Sequence, residues 1–233
     1  MGLYADSRRA EEYRSPRGTV DDSAHPEGGR SSTRTAAADL MADVSRGALG
    51  VIAAADFFTT EVWTWRGLVT YYTVFVMDLA SRRVHILGST LHPSDLFMGQ
   101  IVRLVTAADD GVLIGHRMLI CDRDRNWSRA VRQRFGDAGI RVVLTPERAP
   151  NANAYAERFV RSIKEECLDR MIPLGEQHFR RAIIEFVAHY HLERNHQGLD
   201  NRLIARTPAA NAAGRVRRRS RLGGLLNYYE PAA

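Results

Sequence analysis

Three strand-like segments follow one another in the first half of this chain, and their succession constrains the fold. They read GVIAAADFF, GLVTYYTVFVMDL and RRVHILGST, and together they span Gly50 to Thr90. The second segment is rich in β-branched and aromatic residues, which favour strands, and the third alternates between apolar and polar residues. No helical pattern separates the three segments. We therefore expect them to form an antiparallel meander.

Beyond this meander, helical and strand-like segments alternate. Ser94 and Ser128 each precede apolar residues at helical spacing, which predicts two capped helices that end near Gly111 and Gly139. The short apolar segments RMLICD and IRVVLTP predict two more strands. Two amphipathic helices follow, AYAERFVRSIKEECLDR and EQHFRRAIIEFVAHYHLERNH. The expected fold class is α/β, with a five-stranded mixed sheet flanked by helices.

The charge balance indicates the kind of partner. The chain has 233 residues and a net charge of +6, which favours a polyanion, first nucleic acid and second an anionic membrane surface. No apolar run approaches the ~20 residues of a membrane span, and the N-terminus lacks the apolar segment of a secretory signal. Cys121 and Cys167 lie in apolar patterns, which predicts buried free thiols in a reducing cytoplasm.

Shifts in composition divide the chain into three parts. Residues 1–45 are rich in Arg, Ser, Gly, Asp and Ala, and we expect a disordered or remnant N-terminal segment there. Residues 46–206 carry the strands and helices of one folded core. Residues 207–233 form a basic C-terminal tail that contains RVRRRSR. Non-specific DNA binding and simple solvation of these arginines are both open for the tail.

Two acids interrupt apolar strands, and a third begins an amphipathic helix. Asp56 lies inside VIAAADFF, Asp122 ends MLICD, and Glu157 shares a helix face with Arg161 and Lys164. A carboxylate in a buried strand is costly unless it is paired or bound to a metal ion. Each Asp taken alone is more often a cap or a hydrogen-bonded core group. Glu157 with Arg161 taken alone is more often a weak surface pair.

The three carboxylates together indicate a different chemistry. Converging carboxylates repel one another, and a divalent cation relieves that repulsion. Oxygen ligands of this kind suit Mg²⁺ or Mn²⁺ rather than zinc. A basic protein with such a cluster and neighbouring cations fits phosphoryl transfer on nucleic acid.

Specific motifs around these acids resemble a known family. The segments ADFF, LICDRDRNWS and TPERAPNANAYAERFVRSIKEECLDR are similar to the three acid-bearing motifs of bacterial insertion-sequence transposases. YHLERNHQGLDNR is similar to the Tyr-Asn-x-x-Arg-Pro-His segment of that family, with His191 in place of the Asn and Asn195 in place of the Pro. The chain thus resembles, from about Leu49 to Arg206, the catalytic core of these DDE recombinases, which are related to retroviral integrases.

This resemblance implies a ribonuclease-H-like fold and a set of site residues. Asp56, Asp122 and Glu157 would be catalytic and would hold Mg²⁺, for which Mn²⁺ can substitute. The residues that would contact DNA or shape the rim of the site are Lys164, Arg161 and Asn153.

The same resemblance implies an activity and partners. The reaction would be metal-assisted cleavage of a phosphodiester followed by DNA strand transfer, with transposon ends and target DNA as partners. It also implies a homo-oligomer and a helix-turn-helix module, on a separate chain if this reading frame lacks one. Two alternatives stay open: a transposon remnant that binds DNA without transposing, and a ribonuclease-H-like nuclease that cuts but does not join.

Overall fold

A mixed five-stranded sheet forms the centre of the molecule. The computed structural model describes residues 49–146, 153–205 and 216–231. The sheet order is β3-β2-β1-β4-β5; β1, β2 and β3 pair antiparallel, whereas β4 pairs parallel with both β1 and β5. The meander and the mixed sheet expected from the sequence are confirmed. The strands are β1 (Ile52–Thr64), β2 (Gly67–Asp78), β3 (Val84–Thr90), β4 (Met118–Cys121) and β5 (Arg141–Leu144).

Four helices cover the two faces of this sheet. Ser94 and Ser128 cap the first two as predicted, because their hydroxyls accept hydrogen bonds from the backbone N–H groups of Phe97 and Val131, both at 3.3 Å. The helices are α1 (Asp95–Val105), α2 (Arg129–Asp137), α3 (Ala154–Glu166) and α4 (Gly175–Leu192). Among the described residues, no helix combines the length and apolar character needed to cross a bilayer.

Helix α1 ends earlier than its apolar spacing predicts. It stops at Val105 rather than just before Gly111. The Thr106 hydroxyl donates to the Val102 carbonyl at 2.8 Å, and the N–H of Leu113 donates to the Val105 carbonyl at 3.0 Å. These bonds satisfy carbonyls that the next helical turn would have used, so the chain folds back instead.

Strand β1 is longer than the sequence indicates. It continues past Phe58 through TTEVWT to Thr64. β2 pairs with it over this extension, and the last pair is Thr64 opposite Gly67. Val62 is fully buried while its neighbour Glu61 is exposed. This alternation of buried and exposed residues is that of a strand with one covered face, and it extends the hairpin beyond the acid-bearing part.

The sheet separates two apolar clusters. Alternate residues of β1 point to opposite faces, so Ala54 and Phe58 face α3 and α4, whereas Ala53 and Ala55 face α1 and α2. The α3–α4 side is built on aromatic rings. Phe159 of α3 lies at its centre, with ring centroids 4.8 Å from Phe75, 6.2 Å from Phe186 and 5.1 Å from Tyr190.

The basic tail contains a hairpin fixed to the core. β6 (Val216–Arg221) pairs antiparallel with β7 (Leu226–Pro231). Arg221 donates to Glu185 of α4 and to Glu193 just after it, at 2.6 Å each, and the Glu193 side chain is only 7% exposed. Arg221 is therefore a structural ion-pair residue rather than a solvated tail charge. Residues 1–45, for which disorder was expected, and residues 207–215 of the expected tail lie outside the described residues.

The aromatic centre of the α3–α4 side makes a stability prediction. Phe159→Ala removes a fully buried ring with three ring neighbours, and we expect it to lower the free energy of unfolding by about 3–5 kcal/mol. Urea denaturation measures the change. The control is Ile184→Ala on α4, where the side chain is 67% exposed and the expected change is within about 0.5 kcal/mol. Similar losses in the two variants would contradict this account of the core.

The Arg221 ion pairs make a second prediction. Arg221→Gln leaves the poorly exposed Glu193 carboxylate without its guanidinium, so we expect a loss of about 2 kcal/mol and release of the hairpin. Hydrogen exchange of residues 226–231 should accelerate. Arg219→Gln, two residues away, is the control, since Arg219 and its partner Glu230 are 46% and 38% exposed and the pair contributes little. Unchanged exchange in Arg221→Gln would show that other contacts hold the hairpin.

Candidate active site

Asp56 and Asp122 occupy adjacent positions in neighbouring parallel strands. β1 and β4 pair in register up to Ala55 opposite Cys121, and the two acids are the next residues of each strand path. Ala54 and Ile120 face the α3–α4 side, and the acids follow them by two residues. Both carboxylates therefore point from the sheet toward the face covered by α3.

Asp56 sits in an electrostatically unfavourable position for a carboxylate. Burial raises its pKa to about 7, although the backbone N–H of Phe57 donates to its Oδ1 at 2.7 Å and opposes that rise. The negative charges of Asp122, Glu157 and Asp124 raise the pKa further. Mutual repulsion of this kind is typical of a cluster that a cation completes.

Asp122 begins a tight polar turn. Its pKa is raised, mainly by burial, and the N–H of Asp124 donates to its Oδ1 at 3.2 Å. Asp124 in turn accepts the N–H of Asn126 at 2.7 Å, which agrees with its expected place as a loop charge. The turn thus fixes the direction of the Asp122 carboxylate.

Trp127 is a site residue that sequence reasoning missed. It is 3% exposed, and its indole packs edge-on against Phe57 with centroids 5.6 Å apart. Its Nε1–H lowers the pKa of Asp122 from nearby but makes no hydrogen bond to any described residue. The sequence does contain one signal for this role: Trp127 is a large aromatic residue inside the polar turn DRDRNWS, where exposing its ring to solvent would be unfavourable.

Glu157 enters the site from the first turn of α3. It is exposed, whereas Asn153 just before the helix is 5% exposed and donates from Nδ2 to the Ala55 carbonyl at 3.4 Å. Asn153 therefore ties the start of α3 to the backbone of β1 beside Asp56. This burial agrees with the expected role of Asn153 in shaping the rim of the site, and contact between Asn153 and DNA stays a prediction.

Arg161 and Lys164 lie on the solvent side of α3. Arg161 is exposed and Lys164 is half-buried, and neither makes an ion pair with any residue of the described ranges. In particular, Glu157 and Arg161 do not form the weak surface pair that their spacing permits. Both cations stay available to an anion.

The segment similar to Tyr-Asn-x-x-Arg-Pro-His packs the last helix onto the core, as expected for Tyr190 and His196. The His196 ring lies 4.6 Å from the Tyr190 ring and bonds the Tyr190 carbonyl at 2.7 Å. Arg194 donates to Ser162 at 3.1 Å and to Glu166 at 2.6 Å. Ser162 is therefore buried against α4, whereas the helical spacing alone places it on the solvent side.

The carboxylates are close enough to interact but do not form a closed coordination site. Within the ranges 49–146, 153–205 and 216–231, no three His, Cys, Asp or Glu side chains are grouped so as to hold a metal ion. The donor chemistry nevertheless fits Mg²⁺ or Mn²⁺, because Asp56, Asp122 and Glu157 offer only oxygen ligands. The raised pKa of Asp56 records repulsion that a divalent cation would remove.

The pKa of Asp56 predicts how the metal-free protein responds to pH. The folded-state pKa of about 7 lies above the ordinary 3.8, so between pH 4 and pH 7 the folded protein retains a proton that the unfolded chain loses. Stability should fall across that window and level off above it. We expect Asp56→Asn to raise the stability at pH 8 without divalent ions by about 2 kcal/mol, and by less at pH 4.

Thermal melting in EDTA across this pH range measures the effect. Asp109→Asn, at an exposed loop acid, is the matched control and should melt like the wild type. An Asp56→Asn variant no more stable than the wild type at pH 8 would contradict the conclusion that the ionised Asp56 carboxylate destabilises the folded protein.

Comparisons with known proteins agree with this architecture. Residues 138–203 match the family model described as "Integrase core domain", a stretch that contains α3 with Glu157 and the whole of α4. No curated protein matches the chain by sequence.

Solved structures provide the comparison for the whole sheet. The catalytic domain of Mos1 mariner transposase is 15% identical, with a TM-score of 0.53 over 70% of this chain and 84% of that one. The catalytic core domain of BIV integrase is 13% identical, with a TM-score of 0.43 over 62% of this chain and 87% of that one. Residues 138–203 are thus similar to the integrase core domain, and the likeness to the Mos1 domain shows the ribonuclease-H-like fold of the core.

Proposed function

We propose that this protein is a polynucleotidyl transferase that cleaves a DNA phosphodiester and joins DNA ends. The observation that carries the proposal is the placement of Asp56 and Asp122 on adjacent parallel strands, facing the helix that bears Glu157. All three carboxylates contribute to one electrostatic cluster, as the raised pKa of Asp56 records. The match of residues 138–203 to the integrase core domain supports the same chemistry.

Asp56, Asp122 and Glu157 would hold Mg²⁺ in this protein. When bound, that ion activates the attacking oxygen and stabilises the charge of the leaving oxygen. The protein holds two of these ligands in fixed positions. Asp56 is fixed by the N–H of Phe57, and Asp122 by the N–H of Asp124. Glu157 is exposed on the first turn of a helix whose start is tied to β1.

The surroundings of the carboxylates restrict water and attract the substrate. Phe57 and Trp127 pack edge to face beside Asp122 and form an apolar wall on that side. Arg161 and Lys164, one and two turns after Glu157, supply positive charge without counter-ions in the described parts of the chain. We assign them to phosphate groups of the DNA, which their lengths and charges suit.

The partners in this proposal are DNA ends and target DNA. Joining two ends to one target requires two catalytic centres, so we include assembly of more than one copy of the chain.

A plasmid assay with paired variants tests the reaction. Purified protein is incubated with supercoiled plasmid and Mn²⁺, which needs no knowledge of the end sequence. We expect wild-type nicking that EDTA abolishes and that Glu157→Gln lowers at least about 100-fold, because a neutral amide is a poor ligand for a hard cation. Glu61→Gln, at an exposed acid of β1, is the control and should nick like the wild type.

The outcomes separate the open alternatives. A plasmid that is bound but never nicked by the wild type would favour a remnant without chemistry. Nicking that Glu157→Gln leaves unchanged would remove Glu157 from the site. A labelled oligonucleotide with a free 3′-hydroxyl, added to the same reaction, distinguishes a transferase from a nuclease, since only the transferase attaches the label to the plasmid.

A further inference from the structure

A second polar cleft lies on the flank of α3 away from Glu157. It has a volume of about 390 Å³ and is formed by α3, the β2–β3 turn and the residues that follow α4. The three catalytic-site acids are not among its described lining residues. Its lining side chains include Arg82, Tyr155, Arg158, Arg161 and Glu165, together with the ion pair of Arg194 and Glu166.

Arg82 is held in this cleft by an unusual turn. The residue adopts a φ of 62°, a left-handed conformation that is costly for an arginine. Asp78 stabilises the turn: its carbonyl accepts the Arg82 N–H at 2.9 Å and its Oδ1 accepts the Ser81 N–H at 2.6 Å. The turn places the Arg82 guanidinium over the Tyr155 ring, with its central carbon 3.3 Å from the ring centroid.

The guanidinium of Arg82 has unused donor capacity. Its Nη1 is buried and has no hydrogen-bond partner among the described residues. Arginine stays charged at every physiological pH, so this nitrogen cannot relieve the cost by losing a proton. A buried unsatisfied charged donor is expensive, and an oxyanion in the cleft would satisfy it.

The charges around the cleft leave it positive. Arg194 is neutralised by Glu166 at 2.6 Å, whereas Arg82, Arg158 and Arg161 make no ion pair within the described ranges. Glu165 is the one further acid among the described lining residues, so three unpaired arginines face a single carboxylate.

A row of cations connects the cleft with the catalytic flank. Arg158, Arg161 and Lys164 are spaced three residues apart on α3. At 100° and 1.5 Å per residue, each step rises about 4.5 Å and turns about 60° around the helix. The row therefore crosses the exposed side of α3 from the cleft and ends at Lys164, on the same flank as Glu157 and about 10 Å further along the helix axis.

We propose that this cleft binds a phosphate of the DNA backbone outside the catalytic centre, with Arg82 and Arg158 as its ligands and the row on α3 guiding the strand toward Glu157. The identification of the polyanion as DNA rests on the proposed function. A free nucleotide would use the cleft alone, whereas the continuous row fits a strand that extends from the cleft to the acids.

Salt-dependent DNA binding tests this assignment. Binding of the full chain to a fluorescent duplex is followed by anisotropy between about 50 and 200 mM salt, in EDTA so that no cutting occurs. Each lost phosphate contact should make the slope of log K against log[salt] shallower by about 0.9, which weakens binding roughly eightfold at about 0.1 M salt. We expect this change for Arg82→Gln and for Arg158→Gln.

Two other variants calibrate the measurement. Lys164→Gln reports the contact assigned under the proposed function and should show a similar loss. Arg103→Gln, an exposed arginine of α1 on the opposite face of the sheet, should leave the slope unchanged. Because Arg158 is exposed and unpaired in the described structure, its variant should melt like the wild type, which separates a binding effect from misfolding.

The outcomes distinguish this inference from the function it rests on. Wild-type slopes in both Arg82→Gln and Arg158→Gln, with a shallower slope in Lys164→Gln, would overturn the cleft assignment and leave the proposed function standing. Absence of DNA binding by the wild type would overturn both. Stabilisation of the wild type but not of Arg82→Gln by inorganic phosphate, with unchanged DNA slopes, would mark a small-anion site and overturn the assignment to DNA.

Discussion

The main constraint on this structure is that it places two carboxylates side by side, at the point where the parallel pairing of β1 and β4 ends. Asp56 and Asp122 are held there by the ladder between β1 and β4. The cost is mainly the burial of the Asp56 carboxylate, with a smaller contribution from the neighbouring negative charges, and together they raise the pKa of Asp56 to about 7. The surrounding structure compensates that cost. Apolar rings pack on both faces of the sheet, and backbone N–H groups of Phe57 and Asp124 fix the two carboxylates. The strain is local, and the core supports it.

A small residue two positions before Asp56 allows the third carboxylate to approach. Ala54 is 1% exposed and lies on the face of β1 that α3 covers, so its short side chain lets α3 begin close to β1. Asn153 then reaches the Ala55 carbonyl and sets the helix start beside the acids. A larger residue at position 54 would push α3 outward and move Glu157 from the other carboxylates. Ala54 is thus part of the site although it carries no chemistry.

The parts that could be predicted from the sequence are those that depend on local periodicity. Apolar alternation and capping serines predict the meander, the mixed sheet and the four helices, and an acid in an apolar strand stands out without any structure. The parts that could not be predicted depend on distant partners. Ser162 is covered by Arg194 from the segment after α4, Trp127 of the loop after β4 packs on Phe57 of β1, and Arg221 pairs with Glu185 and Glu193 in and just after α4. The spacing of residues within one segment cannot predict these contacts. The helical spacing of α3 consequently predicts its core stripe correctly but misplaces Ser162.

Different parts of the surface of helix α3 have different functions. Its apolar stripe anchors the sheet through Phe159, its first turn presents Glu157, and its exposed side carries Arg158, Arg161 and Lys164. A phosphate that approaches the metal-free acids meets negative charge, whereas the cations lie around the helix and toward its C-terminal end, where positive charge also favours the helix dipole. Affinity for a polyanion and the carboxylate chemistry therefore rest on different residues of one rigid element. Because the element is rigid, a strand held by the cations has a fixed path relative to the acids, and binding energy gained at a distance becomes positioning at the reacting bond.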